Sequence, residues 1–185
     1  MELLDAVNSC LSALGEARVT STATRHPTVD LILGTIKVKQ KAILERGMWF
    51  NTYDAKMYPN DAGQVEYPAA AISVQSGDSS KIYVKRNGML FDVLDNTAFF
   101  TEPVTITVTA DIAFENLPEC VANVVMYRTM RAVYVGDLGY DPTVSDMMQN
   151  EQVASLQMET MHMRNMQYST RSRRGFARYM QALRG

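Results

Sequence analysis

Between Lys39 and Asn51 the chain changes its hydrophobic period, and this change constrains the fold more than any other feature. Up to Arg46 the apolar residues recur at helical spacing, and Gly47 offers the left-handed backbone at which helices commonly stop. Met48, Trp49 and Phe50 then set the only tryptophan beside a phenylalanine. Two bulky aromatic residues so close to a glycine predict the end of the helix and the opening of a strand. A helical layer is thus expected to meet a β layer here, with Trp49 and Phe50 as the core residues wedged between the layers.

Ahead of the junction, Leu3, Leu4, Val7, Cys10, Leu11 and Leu14 lie on one helical face, and Gly15 ends the pattern. Pro27 suits the first turn of a second helix and Asp30 complements its positive end. Val29, Ile32, Leu33, Ile36, Ile43 and Leu44 form the buried stripe of that helix, while Lys37, Lys39 and Lys41 are spread around it as a solvated face. From Trp49 to Asp111 the signals are those of strands and turns. Tyr58 to Gly63 is a loop by composition, and Pro68 restricts its neighbours to an edge. Lys81 to Arg86 and Met89 to Val93 flank Asn87-Gly88, a strong hairpin turn. Ser73-Val74-Gln75 adds a strand, and Val104 to Ala110 alternates an apolar face with a threonine face, so a small antiparallel sheet is expected.

Helix resumes at Leu117-Pro118-Glu119, with Val121, Val124, Val125, Met130 and Val133 running toward Gly136 as the stop. Asp141-Pro142 opens a fourth helix whose stripe includes Val144, Met147, Met148, Val153, Leu156, Met158, Met161 and Met163. Five of the chain's 13 methionines lie there, which suits a core or a face packed on a second protein. The fold class is therefore α+β. Residues 3–46 and 112–168 form a bundle of about four helices, 47–111 an inserted antiparallel β domain, and 169–185 a C-terminal arm.

At 185 residues and 46% hydrophobic content, the chain can build one ordinary core or two small lobes sharing one. It lacks an apolar run of about 18 residues, and the acidic start of MELLDAVNSC is unlike a signal peptide, so neither membrane insertion nor secretion is expected. Cys10 and Cys120 read as reduced core residues. The net charge of -2 conceals an asymmetry. Glu159 is the last acidic residue, and six of the 18 basic residues follow it: Arg164, Arg171, Arg173, Arg174, Arg178 and Arg184. Up to Glu159, 12 basic residues face 20 acidic ones. An acidic body thus carries a basic arm, in which Phe176, Tyr179, Met180 and Leu183 resume helical spacing as apolar anchors.

No catalytic constellation, cofactor loop or metal set stands out. Around His26 and His162 the sequence shows no Cys/His/Asp/Glu spacing that reads as a metal site, and Gly77 to Lys81 lacks the first glycine of a phosphate loop. Asp92, Asp95 and Glu102 are close enough in sequence to form a glycosidase pair, although in a strand-loop setting turn residues and a solvated face account for them better. The arm, with Phe176 and Tyr179 for stacking, also admits a nucleic-acid-binding module.

Four stretches together resemble the tail tubular protein A family of short-tailed bacteriophages. They are Ser12-Ala13-Leu14-Gly15-Glu16, Arg46-Gly47-Met48-Trp49-Phe50-Asn51, Ile82-Tyr83-Val84 with Asn87-Gly88, and Leu117-Pro118-Glu119-Cys120. They fall in the family's order and cover roughly residues 3–160. The resemblance implies a structural, non-enzymatic virion protein without a cofactor, a head-to-tail adaptor assembled in the host cytoplasm. Its copies would form a homo-oligomeric ring, typically of twelve, between the portal protein and the tail nozzle, tail tubular protein B. DNA would pass through the lumen, and tail fibres would attach nearby. On the chemistry of the arm, Arg171, Arg173, Arg174, Phe176, Arg178, Tyr179, Met180 and Leu183 are the candidate portal-binding residues, the arginines for carboxylates and the apolar side chains for burial. The alternatives are a polysaccharide-degrading tail component and a DNA-binding module.

Overall fold

Helix α1, Leu3–Ala13, ends in a turn that its sequence foretells. Gly15 takes φ +77°, Gly15 N–H donates to Ser12 O, and Glu16 N–H donates to Leu11 O, a Schellman closure that only a left-handed residue permits cheaply. The computed structural model describes residues 1–78 and 80–166. Helix α2, Pro27–Leu44, starts on Pro27 and buries Val29, Ile32, Ile36, Ile43 and Leu44, with Leu33 half-buried beside them. After the sheet region a short 3-10 turn, Phe114–Asn116, leads into α3, Glu119–Leu138, and then α4, Pro142–Asn165. Helix α3 packs against each of the other three helices.

Among the described residues five strands follow α2, in two groups. Strands β1 (Thr52–Met57), β5 (Val104–Ala110) and β2 (Ala71–Ser76) form an antiparallel sheet with β5 in the centre. Strands β3 (Tyr83–Arg86) and β4 (Met89–Asp92) form a separate hairpin. Its turn needs positive φ at both central residues, and Asn87 and Gly88 supply +50° and +80°. Val104, Ile106 and Val108 lie on the dry face of β5 and cluster with Val65, Val74 and Leu90, so the hairpin closes over the sheet through Leu90. On the other face, Thr107 Oγ1 donates to Asp54 Oδ1 across to β1 (2.7 Å). Among the described residues the apolar interior is thus one large cluster among the helices, a smaller one within the β region, and a third of Tyr134, Val144 and Met147 between α3 and α4.

Three local expectations are corrected. Trp49 and Phe50 open no strand: residues 49–51 form a turn and β1 begins at Thr52. Helix α3 runs through Gly136 to Leu138, and Gly139 caps it at φ +81°. The methionine-rich stripe of α4 is divided: Val144, Met147 and Met158 are buried, whereas Met148, Val153, Leu156, Met161 and Met163 are exposed. No helix among the described residues is long and apolar enough to cross a membrane.

Candidate functional site

The junction between α2 and the sheet is held by a residue that periodicity does not reveal. Gly47, at φ +68°, donates its N–H to Leu44 O and turns the chain out of α2. A Cβ there would lie 3.3 Å from Thr52 Oγ1, so glycine is favoured by space as well as by backbone. Asn51, only 1% exposed, then uses its whole amide. Its Nδ2 donates to Leu44 O (3.0 Å) and to Ala110 O (2.9 Å), and its Oδ1 accepts from Met48 N–H (2.7 Å). Its backbone carbonyl accepts from Ala110 N–H (2.8 Å). One side chain therefore ties the end of α2 to the end of β5. Nearby, Gln40 Nε2 donates to Ile112 O (2.6 Å), a second link from α2 to the chain leaving the sheet.

Around this node Met48 is fully buried in the helical cluster. Trp49 and Phe50 are half-buried at its edge and form an edge-to-face pair with ring centroids 5.1 Å apart. The Trp49 ring also lies 5.9 Å from the ring of His162 on α4. Beside it, Arg46 Nη2 meets Glu159 Oε1 at 2.6 Å, so the end of α2 is fastened to α4 as well as to β5.

The carboxylates singled out for hydrolytic chemistry do come together. Asp92, Asp95 and Glu102 line one groove of about 680 Å³ at the end of the β region, with Lys81, Tyr83 and Phe99. Asp92, the last residue of β4, is buried, and its side chain holds the turn that follows. Its Oδ1 accepts from the N–H groups of Leu94 (3.0 Å) and Asp95 (3.3 Å), and its Oδ2 lies 3.4 Å from Lys81 Nζ. Asp95 pairs with the same ammonium. The Asp95 hydrogen bond, with Asp92 behind it, raises the pKa of Lys81. The groove can thus attract a hydroxyl-bearing or cationic ligand, but two of its carboxylates are already engaged.

The thiols offer no nucleophile. Burial pushes Cys10 up to about 12 and also raises Cys120. Among the described residues no group of three or more histidine, cysteine or carboxylate side chains is placed to hold a metal ion. The arm residues Arg171, Arg173, Arg174, Phe176, Arg178, Tyr179, Met180 and Leu183 lie outside the described residues. Asn51 is the structural residue that the sequence reading missed. Its signal was a lone amide shortly after a helix-ending glycine, in an otherwise apolar stretch.

Comparison with known proteins extends over the whole of this architecture. The family model described as "Tail tubular protein" matches residues 4–168. Tail tubular protein A of Klebsiella phage KP34 is 32% identical over 184 residues, covering 100% of this chain and 98% of that protein. The chain therefore belongs to the tail tubular protein family and is a structural component of the bacteriophage tail.

Proposed function

We propose that the chain is one subunit of a head-to-tail adaptor, a ring of twelve copies between the portal and the tail nozzle. DNA passes through its centre and tail fibres attach nearby. The observation that carries this reading is the match to Tail tubular protein A along the entire chain, both layers and the junction included. The surface supports it. Leu31, Val38 and Leu156 on the helices and Leu94 and Phe99 in the β region are exposed, as befits a subunit whose faces are covered on assembly. An acidic body also suits a channel through which DNA must slide without being held.

Residues 169–185 act as the portal-binding arm. Their arginines steer encounter and pair with carboxylates, and Phe176, Tyr179, Met180 and Leu183 supply buried anchors. Assembly takes place in the host cytoplasm. Light scattering on the purified chain, alone and mixed with portal, tests the reading. A ring alone or with portal supports it, and deletion of 169–185 is expected to abolish docking while leaving the circular dichroism spectrum intact. A monomer that portal never takes up overturns it.

A second reading has one observation in its favour, the gathering of Asp92, Asp95 and Glu102 in one groove. A polysaccharide-degrading component would lose glycan cleavage in Asp95→Ala and Glu102→Ala. Unchanged cleavage in both removes it. The DNA-binding reading predicts salt-dependent retention of duplex DNA that disappears with residues 169–185.

A further inference from the structure

Helix α4 has two faces of the same design. Val144, Met147, Glu151, Ala154 and Met158 follow a three-four spacing on the side that is buried or half-buried. At about 100° per residue, Gln149, Val153, Leu156, Thr160 and Met163 repeat that spacing on the opposite side. This second stripe is open to solvent: Leu156 is 61% exposed and Met163 54%. A solvent face ordinarily carries charge. Here the only charged residue between Asp146 and Glu159 is Glu151, which turns inward to Arg128 and Arg131. The middle of the outward stripe is therefore uncharged. A groove of about 700 Å³, lined by Val153, Leu156, Met161 and Cys120, runs along its flank.

Helix α2 presents a counterpart. Opposite its buried residues, Leu31, Gly34, Val38 and Ala42 form a second exposed stripe. Val38 is 65% exposed, and a Cβ at Gly34 would meet nothing within 4 Å. The missing side chain leaves a notch of about 350 Å³ between Leu31 and Val38. One helix thus offers an uncharged ridge on which Val153, Leu156 and Met163 stand out, and the other a recess.

We propose that these stripes are the two halves of one contact between neighbouring copies: the α4 ridge of one chain lies in the α2 recess of the next. This rests on the ring reading above and names the surfaces that close it. Two different faces joined in this way make a head-to-tail contact, which propagates from copy to copy, whereas a face paired with itself stops at a dimer. Charge at one end fits antiparallel helices: with Val38 of one copy level with Leu156 of the next, Asp30 comes level with Arg164, an opposite-charge pair.

Cysteine pairing in the full chain tests the contact, on a Cys120→Ser background that leaves only the buried Cys10. Val38→Cys and Leu156→Cys variants are oxidised separately and mixed. The expected result is a disulfide between copies only in the mixture, with the joined α2 and α4 peptides identified by mass spectrometry. Leu156→Glu and Val38→Glu should each weaken self-association at least tenfold by light scattering with helicity unchanged. A Leu156→Cys chain that links to itself overturns the proposal in favour of a two-fold α4 contact. Rings that persist with neither the mixed disulfide nor any effect of the glutamates overturn it while leaving the ring reading standing. A wild-type chain that never self-associates, alone or with portal, overturns both.

Discussion

Asn51 shows how much one amide can settle at the residue scale. Its replacement by alanine removes three side-chain hydrogen bonds in a dry setting, and Met48 N–H loses its Oδ1 acceptor. A stranded buried group costs about 1–3 kcal/mol, so Asn51→Ala should lower stability by about 2–3 kcal/mol in urea titration. Asn51→Asp should cost more, since an acceptor then replaces the donor facing two carbonyls. Asp141 makes a pH-dependent counterpart. The Tyr134 hydroxyl donates to it at 2.8 Å, and that bond, with the Thr143 N–H, lowers its pKa below 3.8. A carboxylate lowered on folding contributes stability above its unfolded value, and this is lost as pH falls through the folded one. Tyr134→Phe should therefore flatten the loss of stability below about pH 4, seen as a smaller drop in Tm on acidification than in the wild type. Such residues differ in how plainly the sequence announces them. Gly15 and Asn87-Gly88 are legible because their backbone needs are local. Asn51 is not, because its partners Leu44 and Ala110 lie on separate elements. Trp49 and Phe50 mislead because aromatic bulk signals a strand as readily as a turn edge packed on a helix.

At the scale of elements, the α3–α4 pair shows where periodicity succeeds and where it stops. The spacing in α4 correctly indicates a helix, yet a three-four pattern on one face does not exclude another on the opposite face. The methionine stripe was therefore legible as apolar but not as two stripes. Gly136 reads as a stop, but a glycine inside a helix costs only about 1 kcal/mol, and Gly139 provides the left-handed end. The sheet order β1-β5-β2 was hidden for another reason, since β5 pairs with strands far from it in sequence. Across the helix pair, Glu151 accepts from Arg128 Nε at 3.2 Å and Arg131 Nε at 2.8 Å with its side chain largely covered. Arg46–Glu159 is a single, more exposed pair. Glu151→Gln should thus cost about 1–2 kcal/mol in thermal unfolding, and Arg46→Ala less than about 1 kcal/mol. Equal effects would mean that the shared carboxylate adds nothing beyond an ordinary surface pair.

For the whole molecule, the question is whether the large helical cluster and the β cluster stand or fall together. The helical cluster is much the larger, and the β cluster rests on six buried residues centred on Ile106 and Leu90. Side-chain links between them run through the end of α2: Asn51 to Ala110, and Gln40 to Ile112. Trp49 packs against the helical cluster, so its fluorescence follows that cluster while far-UV circular dichroism follows both. In the wild type the two signals should change in a single shared transition, because losing the β region exposes the junction that ends α2. Removing both links in Asn51→Ala/Gln40→Ala should separate them. The β region, with less apolar area to offset its conformational entropy, should then lose structure at a lower temperature than the Trp49 signal. A double variant that still melts in one coincident transition would show that the clusters are joined by packing around Met48 and Phe50, and that the hydrogen bonds only refine the joint. The distinction matters for an assembly subunit. If force or portal binding acts on α4, Arg46 and Trp49 connect it to the junction, and a hydrogen-bonded joint transmits that load to β5 as a directed displacement where an apolar one would let the layers slide.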